Sequence, residues 1–109
     1  MNGLQELLKR IDCFNKERDW DQFHSPANLA KSISIEAGEL LECFQWNEDD
    51  FDLREVKGEL ADVMNYCFQL CLALKEDPIG IVDEKMDETE RKYPVSKAKG
   101  VSTKYDKLK

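Results

Sequence analysis

Apolar side chains recur every three or four residues along the first half of the chain, a period that predicts amphipathic helices. The first predicted helix covers residues 4–17, where four leucine and isoleucine side chains and one phenylalanine fall on one face. The second begins after Ser25, because a serine followed by Pro26 combines a good N-cap with proline at the first helical position. The apolar period continues to about Phe44.

The second half of the chain repeats these helix signals. Asp52 precedes a third apolar face about 20 residues long, and Asp77-Pro78 begins a fourth helix that should end before Pro94. The remaining segment, "VSKAKGVSTKYDKLK", is basic, shows no clear period and is predicted to be an irregular arm. We therefore predict an all-α fold, an antiparallel bundle of about four helices in one domain (1–94), followed by a basic C-terminal tail (95–109).

Size and charge restrict the partners of such a bundle. When a chain of 109 residues folds, it buries only about 60–65% of the surface that the unfolded chain exposes. We therefore expect a homo-oligomer to complete the core. The net charge of −7 disfavours duplex nucleic acid as a partner. Because no segment has the apolar length of a signal peptide or membrane span, we predict no membrane association and a cytoplasmic location. The four cysteines occupy apolar helical positions and are interpreted as reduced core residues.

An acidic side chain interrupts the apolar stripe of the second helix. The stripe formed by Leu29, Ile33 and Leu40 requires an apolar residue near position 36, and the sequence places Glu36 there. Glu39 follows three residues later, about 60° around the helix, so both carboxylates can reach one point. Neighbouring like charges destabilise a helix unless a cation lies between them, which indicates a cation at this position.

The third helix carries Glu59 and Asp62 at the same spacing. If the two helices pack antiparallel, all four carboxylates can meet, and oxygen-only ligation suits Mg²⁺, with Mn²⁺ as an alternative. Di-iron bundles require Glu-x-x-His, and no histidine follows either pair, which favours a redox-inactive cation. The competing interpretation places these acids on solvated helix faces. Glu42 lies further around the helix, and we assign it to the surface or to a position behind the ligands rather than to the ligand set.

Four segments in this order resemble a known family: "RDWDQFHSPANL", "SIEAGELLECFQW", "ELADVMNY" and "KMDETERKYPVSKAKG". They are similar to the MazG-like nucleotide pyrophosphohydrolases of the all-α NTP pyrophosphatase superfamily, particularly the small single-domain branch that includes dCTP pyrophosphatases. The resemblance implies Mg²⁺-dependent cleavage of nucleoside triphosphates to monophosphate and pyrophosphate by a metal-activated water. It also implies dimers or tetramers and a role in removing surplus or non-standard nucleotides.

The resemblance also assigns residue roles. The family motif E-x-x-E followed by E-x-x-D is matched by residues implied to be both metal ligands and catalytic: Glu36, Glu39, Glu59 and Asp62. The implied substrate-binding residues are Trp20 and Trp46 at the base and Lys85 at the phosphates. Two further substrate-binding candidates follow from position alone. His24 lies in the loop before the second helix, and Tyr66 lies four residues after Asp62 on the same face, where its hydroxyl could orient a metal ligand or contact the nucleotide.

Each of these residues also has an interpretation that involves no contact with substrate. The tryptophans and Tyr66 could be core aromatics, His24 could bond the backbone of its loop, and Lys85 could be solvated. Thr89 departs from the family pattern, which often has asparagine there, so its phosphate contact is in doubt. A non-catalytic nucleotide-binding bundle and a helical interaction module are the alternative functions.

Overall fold

The computed structural model describes residues 2–109, and within that range the chain is all-helical. The all-α prediction is therefore confirmed. Five helices and two short 3₁₀ turns follow one another: α1 (Gly3–Glu17), the turn Asp21–Phe23, α2 (Pro26–Glu42), α3 (Leu53–Leu74), α4 (Pro78–Lys92), α5 (Val95–Ala98) and the turn Tyr105–Lys107.

Side-chain caps explain why the long helices begin where the sequence predicts. Ser25 Oγ accepts a hydrogen bond from the Asn28 backbone at 3.1 Å, and Pro26 follows at the first helical position. The Asp52 carboxylate accepts from the Arg54 backbone N–H at 2.9 Å. The Asp77 carboxylate accepts hydrogen bonds from the backbone N–H groups of Ile79 and Gly80 in the first turn of α4. Each cap satisfies backbone donors that a helix start leaves without intrahelical partners.

Two compact units divide the chain, the first ending at Glu76 and the second running from Asp77 to Lys109. In the first unit α2 and α3 run antiparallel. Leu29, near the start of α2, shares a cavity wall with Leu72, near the end of α3. At the other end, Phe44 and Phe51 flank the connection with their ring centroids 4.9 Å apart.

The interior of the first unit is small and partly polar. Leu29 is only 1% exposed, and Cys71 is also buried. Cys43 and Cys67 are half-buried, but Cys13 is exposed, so the interpretation of Cys13 as a core residue is wrong. Several large apolar side chains remain at the surface: Ile35, Leu41, Trp46, Leu53 and Leu60.

The second unit contains α4 and the basic tail. Glu88 forms ion pairs with Lys85 at 3.2 Å and with Lys92 at 2.9 Å on α4. The backbone N–H of Tyr105 donates to the Tyr93 hydroxyl at 3.1 Å, and the two rings meet edge to face. The tail is therefore not irregular throughout, since it forms α5 and a 3₁₀ turn tied to the end of α4. The division at residue 94 stays a prediction.

None of the helices between residues 2 and 109 has the length and apolar content that crossing a bilayer requires.

Candidate metal centre and nucleotide pocket

Three carboxylates converge where α2 and α3 pack together. Glu36 from α2 and Glu59 and Asp62 from α3 each offer one oxygen, and these three atoms lie within 4.8 Å of one another. The antiparallel arrangement of the helices brings together acids that are more than 20 residues apart in sequence. Glu36 and Glu59 are half-buried, whereas Asp62 is exposed. One side of the acid cluster is thus open to a ligand.

The cluster is electrostatically unfavourable without a cation. The pKa of Glu36 is raised, chiefly by its hydrogen bond with Glu39, then by burial and by the charges of Glu39, Asp62 and Glu59. The pKa of Glu59 is also raised, chiefly by burial, then by its hydrogen bond with Glu39 and the neighbouring carboxylates. Burial and like charges both disfavour the ionised form. The acids therefore resist being charged together.

Two oxygens of the cluster lack any protein partner. Among residues 2–109, the Oε2 atoms of Glu36 and Glu59 are buried and accept no hydrogen bond. A buried acceptor without a donor is costly, and a native structure rarely keeps one without a reason. A hard divalent cation prefers carboxylate oxygens and would satisfy both atoms at once. The residues present therefore fit a bound metal ion.

Glu39 and Glu42 flank this cluster. Glu39 is exposed and lies outside the group of three oxygens, although its carboxylate interacts with both Glu36 and Glu59. Glu42 is exposed, as predicted, and its charge contributes to the raised pKa of Glu59. The fourth predicted ligand thus borders the cluster, and its direct ligation of metal stays a prediction.

A cavity of about 650 Å³ adjoins the acids within the first unit. Its wall includes Glu36 and Asp62 together with three of the predicted substrate-binding residues: Trp20, His24 and Tyr66. Ligand pockets of this kind typically measure about 300–1,000 Å³ and combine apolar walls with a few polar groups. The structure therefore joins the acid cluster to a space large enough for a nucleoside.

The aromatic side of this cavity is partly open. Trp20 is 44% exposed and meets Phe14 edge to face, with ring centroids 5.5 Å apart. His24 Nδ1 is buried and has no hydrogen-bond partner among the described residues. The backbone-bonding interpretation of His24 therefore does not account for this nitrogen.

The other two predicted substrate-binding residues are Trp46 of the first unit and Lys85 of the second. Trp46 lies in the connection between α2 and α3, is 90% exposed and does not belong to the cavity wall. Lys85 belongs to the second unit, where its ammonium lies 3.2 Å from the Glu88 carboxylate. Thr89 Oγ donates to the Lys85 backbone carbonyl at 2.9 Å, so its single donor is already used within the helix. The roles of Trp46 and Lys85 in substrate binding stay predictions.

Sequence analysis did not identify the amide side chains of the cavity wall, Asn15, Asn65 and Gln69. A signal was present in each helix. Gln69 interrupts the apolar run "YCFQLCLAL", and Asn15 continues the stripe of Leu8 and Ile11. Glu36 was identified because it is a polar residue within an apolar stripe. The same criterion would have identified Asn15 and Gln69.

Comparison with known proteins identifies the family. The model of the MazG-like family matches residues 31–108, which cover both pairs of acids. The chain belongs to the MazG-like family. It is 39% identical to dCTP pyrophosphatase 1 of Homo sapiens over 115 residues, covering 96% of this chain and 67% of that protein. The Bos taurus protein of the same name is 38% identical over 114 residues, covering 96% of this chain and 68% of the relative.

A solved structure agrees with these sequence matches. The crystal structure of a pyrophosphatase from Archaeoglobus fulgidus DSM 4304 superposes with a TM-score of 0.77 at 40% identity, covering 86% of this chain and 94% of the other. Family and relatives together show that the chain is a nucleotide pyrophosphohydrolase. MazG-like pyrophosphatases are metal-dependent, in agreement with the acid cluster.

Proposed function

We propose that this protein is a Mg²⁺-dependent hydrolase that cleaves nucleoside triphosphates to monophosphate and pyrophosphate. The observation that carries the proposal is the acid cluster of Glu36, Glu59 and Asp62, with its two unpartnered buried oxygens, at the edge of a nucleoside-sized cavity. An oxygen-only donor set favours Mg²⁺, with Mn²⁺ as a replacement. Glu39 completes the proposed ligand set from the open side.

The carboxylates position the reaction at the α-phosphorus. When bound, a divalent cation supplies charge neutralisation of the triphosphate and lowers the pKa of water. The water oxygen forms a bond to the α-phosphorus as the bond from that phosphorus to the bridging oxygen breaks, and pyrophosphate leaves. The water's proton passes to one of the carboxylates of the cluster or to an acid beside them.

The cavity receives the base and sugar. Trp20 offers an aromatic face for the base, and His24 and Tyr66 offer polar atoms on the same wall. Because two relatives are named dCTP pyrophosphatase, we propose deoxycytidine triphosphate as the leading substrate, and nucleotide-pool housecleaning in the cytoplasm as the role. Lys85 is the proposed phosphate contact of α4, where its present partner is Glu88.

A second copy of the chain completes this enzyme in our proposal. The small apolar interior and the exposed Ile35, Leu41 and Trp46 leave apolar surface that a partner subunit would cover. We propose a homodimer or homotetramer in which Trp46 becomes buried. The acidic charge of −7 makes duplex nucleic acid a poor partner.

The test is pyrophosphate release from a panel of standard and modified ribo- and deoxyribonucleoside triphosphates, with Mg²⁺ and again with EDTA. Chromatography identifies the products. We expect monophosphate and pyrophosphate in equal amounts and no turnover with EDTA. Release of inorganic phosphate, or turnover that EDTA leaves unchanged, would contradict the proposed reaction. Nucleotide binding without turnover would favour the non-catalytic alternative.

A further inference from the structure

Three carboxamides form a hydrogen-bonded chain in the wall of the cavity. Asn15 Nδ2 donates to Gln69 Oε1 at 3.0 Å, and Gln69 Nε2 donates to Asn65 Oδ1 at 3.1 Å. Asn15 and Gln69 are only 5% and 7% exposed, whereas Asn65 is exposed. This amide chain therefore begins at Asn15 on α1, continues to Gln69 on α3 and ends at Asn65, whose exposed side chain a ligand can reach.

The two internal bonds leave a free polar group at each end of the amide chain. Asn65 keeps its amide N–H groups, and Asn15 keeps its carbonyl oxygen, because each carboxamide both donates and accepts. Turning all three amides over exchanges the two ends but still leaves one donor and one acceptor. All three residues line the cavity, beside the apolar walls of Phe14 and Phe68.

The amides stand at a defined distance from the acid cluster. Asp62, Asn65 and Gln69 are spaced by three and four residues and therefore share one face of α3. At about 1.5 Å per residue, Asn65 lies about 4.5 Å and Gln69 about 10 Å beyond Asp62 along the helix axis. The wall of one cavity contains Asp62 and the amides, so a nucleotide with its phosphates at the acids and its base in this cavity has its base beside the amides.

We infer that the Asn15–Gln69–Asn65 chain reads the hydrogen-bonding edge of the base and sets the base preference of the enzyme. This inference rests on the proposed function, because it places the triphosphate at the acid cluster. The free N–H groups of Asn65 donate to a ring nitrogen of the base. The carbonyl oxygen of Asn65 accepts from Gln69 through one lone pair and from the adjacent exocyclic amino group through the other, which matches the edge that cytosine and adenine present. The internal bonds hold Asn65 in place, which limits the entropy lost when the base binds.

The test compares kcat/KM for the four deoxynucleoside triphosphates and for an abasic deoxyribose triphosphate. In Asn65→Leu we expect the ratio between the best and worst bases to fall by about 10- to 100-fold, the value of one good amide–base pair. Turnover of the abasic substrate should stay within about threefold, since the acids are untouched. Met64→Leu is the matched control, because it changes the same wall without removing a hydrogen bond and should keep the ratio.

A purely structural role for the amides predicts a different result. If the chain only ties α1 to α3, Asn65→Leu lowers the melting temperature or slows all five substrates equally, and the base ratio stays unchanged. That outcome overturns the inference. The double variant Asn15→Leu/Gln69→Leu removes both buried amides together, so the only amide that loses its partner is the exposed Asn65, which water can reach. It should lose base discrimination as well.

A binding measurement separates this inference from the proposed reaction. Calorimetric titration with the four deoxynucleoside monophosphates needs no turnover. Affinity that depends on the base in the wild type, and loses this dependence in Asn65→Leu, supports the inference even if no triphosphate is cleaved. Equal affinity for all four bases in the wild type overturns it, whereas absent turnover overturns the proposed function alone.

Discussion

The same face of α3 carries two polar clusters that differ in how their atoms are satisfied. At the amide cluster, Asn15, Gln69 and Asn65 pair with one another through two hydrogen bonds. At the acid cluster, Glu36 and Glu59 keep buried oxygens without a partner, and their pKa values are raised. The amides are satisfied by the protein itself, whereas the acids require a ligand. Beside a cavity, buried polar atoms without a hydrogen-bond partner therefore indicate catalytic chemistry more strongly than paired polar atoms do.

The amide cluster and the acid cluster affect the free energy of unfolding differently. Internal hydrogen bonds at the amide cluster stabilise the folded chain, because breaking them leaves buried polar atoms unpaired. Like charges at the acid cluster oppose folding until a cation neutralises them. Substitutions at the two clusters should therefore change stability in opposite directions.

The largest expected effect is on activity, from Glu59→Gln at the acid cluster. Replacing the carboxylate by an amide removes a proposed metal ligand and should lower kcat/KM by about 10²- to 10³-fold, the size expected for several kcal/mol of lost charge stabilisation. Steady-state pyrophosphate release measures it. Glu42→Gln is the matched control, because Glu42 is exposed outside the three-oxygen group. Equal activity in both variants would remove Glu59 from the mechanism.

The second effect is on stability, from Gln69→Ala at the amide cluster. The substitution leaves the Asn15 amide without its acceptor and opens space in the interior, so it should cost about 2–3 kcal/mol, or roughly 10–15 °C in melting temperature. Differential scanning fluorimetry measures the shift. Gln22→Ala, at an exposed glutamine whose side chain donates to Asp19, should change stability by less than about 0.5 kcal/mol. A similar loss of melting temperature in both variants would show that the buried amide chain does not contribute to the stability of the fold.

The third effect is the response to Mg²⁺. At ten times its dissociation constant, a cation bound only by the folded protein should raise the melting temperature by about 5–10 °C. The shift should disappear in Glu59→Gln and persist in Glu42→Gln. An unchanged melting temperature in the wild type would favour acids that lie on a solvated surface.

The smallest effect concerns pH and the metal-free protein. A carboxylate whose pKa is raised by folding contributes stability below its unfolded pKa, and this contribution is lost as the pH rises through the folded value. In EDTA, Glu36→Gln should therefore be a few degrees more stable than the wild type at neutral pH. The advantage should vanish at acidic pH, where Glu36 is protonated. Melting curves across the acidic range test the sign, and lower stability of the variant at neutral pH would contradict it.

The helices and the acid cluster could be predicted because their signals are local. Ser25-Pro26 and Asp77-Pro78 combine an N-cap with a first-turn proline, and both helices begin there. Glu36 interrupts an apolar stripe, and antiparallel packing then brings it to Asp62. Each step needs only helical spacing and one packing assumption.

The amide chain could not be predicted in the same way. Asn15 and Gln69 are 54 residues apart. Each is a polar residue within an apolar stripe, but this signal does not show which residue it pairs with. Their pairing depends on how α1 packs against α3, which helical periodicity does not specify. Thr89 shows the same limit at short range, because its hydroxyl bonds the backbone one turn earlier, a choice that spacing does not reveal.

Glu36, Glu59 and Asp62 together hold a divalent cation in the proposed enzyme. Anomalous diffraction from crystals grown with Mn²⁺ and a non-hydrolysable triphosphate analogue would locate this ion. We expect an anomalous peak at ligand distance from oxygens of all three residues, with the analogue's phosphates on the open side of the acid cluster. A peak that contacts other acids, or an acid cluster without a peak while the analogue occupies the cavity, would show that these three residues do not hold the cation.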